Sequence, residues 1–164
     1  MTRKPFRTMI TGSLALLLTA PAFAQDIVPA GDFRTCPGDQ TRQGKAIVMD
    51  ACGAIEPPMV PGPYGSLPDL LAAQAARDAF NSDVAEYGRC VTDFINLYRR
   101  PGADASSKAP DQAACAHAWA EQQATELVRD VGFACIDFSN RTMMDSALEP
   151  WSGDCFPTPE TGQG

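Results

Sequence analysis

The stretch Ser66–Arg100, SLPDLLAAQAARDAFNSDVAEYGRCVTDFINLYRR, decides the fold. Ser66-Leu67-Pro68-Asp69 supplies an N-cap serine, a proline in the first turn where its missing N–H costs nothing, and an acid at the third helical position. Leu70, Ala73, Phe80, Val84, Tyr87, Val91, Phe94 and Tyr98 then recur at helical spacing and draw one apolar stripe, broken only by Arg77. The stripe stops at Arg99-Arg100-Pro101-Gly102, where two cations suit the carbonyl end of a helix and Pro-Gly ends it. A helix over Leu67–Arg99 would be roughly 50 Å long. A compact domain of this size is only roughly 37 Å across, so the helix is either part of an elongated molecule or bent at Asn81-Ser82-Asp83. Because the apolar phase passes that point unshifted, the reading is one continuous or gently kinked helix.

A second helical block follows Ser106-Ser107, takes Pro110 in its first turn and places Ala113, Ala116, Ala120, Ala124, Leu127 and Val131 on one stripe. Small residues facing the larger ones of the first helix let two axes approach closely. The two blocks therefore read as an antiparallel helical hairpin joined by a short Pro-Gly turn. Gly132 marks fraying or a bend, with Phe133 to Phe138 ending the hairpin in helix or in a compact turn. The hairpin core is expected over 66–138. The flanks, 25–65 and 139–164, are rich in proline and glycine and read as irregular arms, with Lys45 to Met49 as the only short strand or helical turn. The expected fold is thus all-α, a hairpin of two long helices with irregular N- and C-terminal arms.

Residues 1–24 read as a cleaved signal peptide. Arg3, Lys4 and Arg7 form a basic start, Leu14 to Ala20 an apolar core, and Ala22-Phe23-Ala24 a cleavage site after Ala24. A periplasmic or secreted product is expected, with no membrane insertion after cleavage. The residue immediately after the cleavage site is Gln25, not a cysteine that could carry a lipid anchor. The leader takes three bases and no acid with it, so the formal net charge moves from −7 to −10. An acidic surface on which Arg99-Arg100 is the only adjacent basic pair repels phosphate backbones, which excludes nucleic acid as a partner.

The 6 cysteines, Cys36, Cys52, Cys90, Cys115, Cys135 and Cys155, all follow the cleavage site and read as three disulfides in an oxidising compartment. With the turn centred near Ala103, the hairpin register sets Cys90 opposite Cys115, and a bridge between them is expected to contribute roughly 3 kcal/mol. Trp119, one turn after Cys115, would pack over that bridge. Cys36 with Cys52 and Cys135 with Cys155 complete the preferred pairing, with exchange between the two arms nearly as good.

Chemistry-bearing motifs are few. The chain has 1 histidine, His117, and no C-x-x-C, H-E-x-x-H, G-x-S-x-G, Walker or dinucleotide motif. His117 and Glu121, at i,i+4, are the weak metal candidates, and their spacing is that of solvated helix neighbours. Asp83 with Glu86 and Glu121 with Glu126 read as solvated acids rather than a glycosidase pair. The methionines show no copper-binding repeat, and Asn140-Arg141-Thr142 is a chance sequon in a bacterial-type export product. No cofactor is expected. Tyr64 beside the proline tract and Trp151 in its Glu-Pro-Trp-Ser-Gly turn are the candidate interaction patch, should they lie exposed together. The expected function is non-catalytic interaction with an unknown protein partner, as an adaptor or inhibitor of an exported protein. A small-ligand or metal-binding module is the alternative, and an unrecognised enzyme the second.

Overall fold

The computed structural model describes residues 36–157; the expected leader, its cleavage after Ala24 and the start of the N-terminal arm lie outside the described residues. Within them the chain is all-helical, with α1 over Gly38–Cys52, α2 over Leu67–Leu97 and α3 over Ala109–Met144, and no strand. No helix of the described residues is long and apolar enough to cross a membrane.

α2 starts as its sequence dictates. The Ser66 side chain accepts the Asp69 backbone N–H at 3.3 Å and donates its own hydroxyl proton to Asp69 Oδ2 at 2.7 Å. The helix then runs unbroken through Asn81-Ser82-Asp83 and ends at Leu97, two residues before the expected Arg99. Gly102 takes the left-handed conformation in the turn, with φ +86°. α3 begins at Ala109 with Pro110 in its first turn and continues to Met144, so 139–144 is helical where an irregular arm was expected. The helix passes through Gly132 without a break. That glycine is buried mid-helix because the ring of Phe156 occupies the space a Cβ would need, 2.5 Å from Cζ.

Contacts between α2 and α3 pair Gly88 with the His117 ring and Gln74 with Cys135, so the long helices run in opposite senses. The core lies in two clusters. One gathers Phe80, Val84, Tyr87 and Val91 of α2, Ala113, Ala116 and Ala120 of α3, and Val48 of α1. The other gathers Leu70 and Ala73 of α2, Val131, Cys135 and Phe138 of α3, and Tyr64.

The main correction is α1. Residues 38–52 form a full helix, not an irregular arm holding a short turn at Lys45 to Met49. Little in its sequence announces it: Pro37 at the N-cap gives no side-chain cap, Gly44 sits in the middle, and only Gly44 and Val48 are buried. Its stability is tertiary. Gly44 meets the Gln112 backbone so closely that a Cβ would stand 2.7 Å from the carbonyl carbon, and the Gln112 and Gln43 side chains hydrogen-bond beside that contact.

α1 also explains the disulfides, which are Cys36–Cys115, Cys52–Cys90 and Cys135–Cys155. The expected Cys90–Cys115 and Cys36–Cys52 bridges do not form; Cys135–Cys155 does. At this level of the two long helices it is Gly88 and His117 that meet, not Cys90 and Cys115. Two residues along an α-helix turn a side chain by about 200°, so when Gly88 and His117 face each other, Cys90 and Cys115 point away from the seam. α1 meets them there, tied to α3 before its first turn and to α2 by its last residue. Cys36 cannot reach Cys52, because Cys36 precedes the fifteen-residue helix and Cys52 is its last residue, about 22 Å of helix against the roughly 4.4–6.8 Å that a bridge permits.

Candidate functional site

Residues 145–157, after α3, have no helix or strand, yet the segment is fastened at several points. Arg77, the one charged residue in the apolar stripe of α2, is 4% exposed; its Nε pairs with Asp78 at 2.8 Å and its guanidinium donates to the Cys155 carbonyl at 3.0 Å. Gln74 donates to the Asp154 carbonyl at 2.9 Å. Ser139 donates to the Trp151 carbonyl at 3.3 Å, and Cys135–Cys155 closes the set. Arg77 interrupts the stripe where its buried guanidinium meets the partly buried Cys155 carbonyl, so the charge is paired by a hydrogen bond rather than left unsatisfied.

The structure brings Tyr64 and Trp151 together, but as core rather than as an exposed patch. Tyr64 is 5% exposed, its hydroxyl donates to the Val60 carbonyl at 3.1 Å, and Trp151 packs, partly buried, on the same cluster. Burial raises the Tyr64 phenol above its ordinary pKa, and the Arg77 charge partly opposes this. The Trp151 Nε1 is enclosed with no hydrogen-bond partner among the described residues. An interaction surface on these two rings is therefore corrected: the fold uses them to seat the C-terminal segment and the 60–64 turn.

His117 Nε2 and Glu121 Oε1 stand 3.6 Å apart at the helix surface, with the imidazole lying over Gly88. Among the described residues no three His, Cys, Asp or Glu side chains converge on a common point that could hold a metal ion. The six cysteines are all consumed in bridges. Trp119 does not cover a Cys90–Cys115 bridge; the Lys45 ammonium sits 3.7 Å from its ring centroid and also pairs with Glu56 at 2.9 Å.

What sequence reading missed is an apolar surface on the second half of α3. Phe133, Ile136, Met143 and Met144 are 61%, 41%, 74% and 90% exposed. At 100° per residue these four, with Asn140 between them, occupy an arc of about 100° on one face of the helix. Phe156, 41% exposed, extends the arc sideways through an edge contact with Phe133, ring centroids 6.2 Å apart. The residues were visible in the sequence, but the end placed at Phe138 cut the stripe in half and hid its period.

No family model, curated protein or solved structure matches the chain.

Proposed function

We propose that the protein is an exported, disulfide-stapled helical protein that acts by non-catalytic protein interaction, as an adaptor or inhibitor of an exported protein, and that the exposed face of α3 is its contact surface. The observation that carries this reading is the cluster Phe133, Ile136, Met143, Met144 and Phe156, apolar and open to solvent in a chain of formal net charge −7. Large exposed apolar patches mark partner surfaces in soluble proteins. Aromatic and methionine side chains suit the task, the ring giving rigid buried area and the thioether an adaptable fit. The partner's matching surface is apolar, a groove or a helix face. Export is supported by the basic, apolar and small-residue order of the first 24 residues and by three bridges that persist only where thiols are oxidised.

Cross-linking in intact cells, with the full chain and its own leader, tests the reading. The wild type is expected to capture a partner that is lost from a Phe133→Ser/Met144→Ser variant, whose changes lie at solvent-exposed positions and leave the helical signal intact. Recovery of the same partner in equal yield from the variant would refute the assigned face.

A further inference from the structure

Of the three bridges, Cys52–Cys90 alone has both of its cysteines partly open to solvent. Cys115 is 6% exposed and Cys135 fully buried, so each of the other two bridges has one end in the core. Cys52 and Cys90 also both line the cleft of about 460 Å³ that opens where α1 ends against the middle of α2. A thiolate can therefore reach this bridge from solvent.

Burial governs the reaction as well as the approach. Thiol–disulfide exchange expels one sulfur as a thiolate, and expelling a charge into a buried position is costly. Attack on Cys36 expels Cys115, and attack on Cys155 expels Cys135, each away from water. Attack at either end of Cys52–Cys90 leaves the expelled sulfur on the wall of the cleft, where water can solvate it.

The same bridge holds the end of α1. That helix has no side-chain N-cap, a glycine at its centre and only Gly44 and Val48 buried. With Cys52 released, its one remaining covalent tie to the long helices is Cys36, ahead of its first turn. Val48 then loses the clamp that keeps it in its cluster with Phe80, Val84 and Ala116. Cys135–Cys155 belongs to the other cluster, to which α1 contributes nothing, so that half of the molecule keeps its own bridge.

We propose that Cys52–Cys90 is a redox latch: a dithiol reductant opens it selectively, α1 detaches from its C-terminal end, and the apolar surface beneath Val48 is uncovered while the Cys135–Cys155 half stays folded. One thiolate of the reductant attacks a sulfur of the bridge, forming a mixed disulfide and expelling the other sulfur. The reductant's second thiolate then displaces the mixed disulfide. Two electrons pass, each expelled cysteine takes up one of the dithiol's two protons, and the reductant ends as its own disulfide. Asp83 and Glu86 line the same cleft and are exposed, so an approaching thiol passes negative charge, which slows an anionic monothiol such as glutathione and leaves an uncharged or protein dithiol as the fitting class. The inference does not depend on the α3 face.

The oxidised protein, exported with its own leader and purified, would be exposed to dithiothreitol or to reduced thioredoxin at equal dithiol concentration, quenched by alkylation at intervals and mapped by mass. Cys52–Cys90 should open about tenfold faster than either other bridge. The species with that bridge alone open should show faster amide exchange over 44–52 and unchanged protection around 131–138. Cys52→Ser/Cys90→Ser should show the same exchange pattern with no reductant present. Faster reaction with thioredoxin identifies a protein dithiol as the natural reductant, and faster reaction with dithiothreitol a small one. Loss of all three bridges at one rate, earlier loss of another bridge, or unchanged protection over 44–52 once Cys52–Cys90 is open would overturn the proposal.

Discussion

Gly44→Ala tests the seat of α1 with a sign rather than a size. Gly44 is an interior helical residue, and exchanging glycine for alanine at such a position adds about 1 kcal/mol of helix stability when nothing else touches the new methyl. Here the methyl would stand 2.7 Å from the Gln112 carbonyl carbon and 3.2 Å from Ala116 Cβ. The first of these is helix backbone and has no rotamer to change, so the two helices must part by on the order of 1 Å, which forfeits up to half of the dispersion attraction across the gap. Val48, fully buried on α1, loses contact with it. Overpacking of this kind costs about 1–3 kcal/mol. After the propensity gain the net loss should be up to about 2 kcal/mol, a Tm lower by up to about 8 °C for a domain of this size. The assay is thermal and urea unfolding of the oxidised protein followed by far-UV circular dichroism. Gly38→Ala, where a Cβ would meet nothing within 4 Å, is the control and should be neutral or slightly stabilising. If Gly44→Ala instead raised the Tm, α1 would not approach α3 through its backbone, and the account of the disulfides would fall with it.

Two further outcomes follow from buried polar groups. Arg77→Leu removes the donor to the Cys155 carbonyl and should cost about 2 kcal/mol while speeding hydrogen exchange around 153–156; unchanged exchange there would show that Arg77 does not hold the segment. Burial lifts the Tyr87 phenol above its ordinary value of 10.0, so its contribution to stability is complete below pH 10 and is lost as the pH rises through the higher folded-state value. Urea unfolding should accordingly weaken above that pH in the wild type and less so in Tyr87→Phe, and equal slopes would refute the burial argument.

The candidate sites were legible only in pieces. Asp83 and Glu86 read as a solvated helix face, which is true of the carboxylates themselves; their setting depends on α1 ending opposite them. Tyr64 and Trp151 were candidates for a patch only on condition of exposure, and the sequence could not decide that condition, because a ring in a proline- or glycine-rich turn has the same sequence signature whether it faces water or a core. The α3 face was hidden by an assumed helix end at Phe138, because 139–164 read as an irregular arm, whereas the helix continues to Met144.

Local order settled much by itself. The Ser66 cap, the Pro110 start and the periodic stripes of α2 and α3 are interactions among residues within a turn or two of each other, and a helix of that length carries its own signal. The even cysteine count likewise settled that bridges form, though not which ones. Pairing depends on azimuth as well as register, and azimuth is fixed only when a third body claims one side of the helix pair. That body is α1, a helix with a glycine at its centre and no side-chain N-cap. Such a segment has too little local energy to declare itself, so contact with Gln112 and two long-range bridges had to decide both its existence and the partners of Cys90 and Cys115.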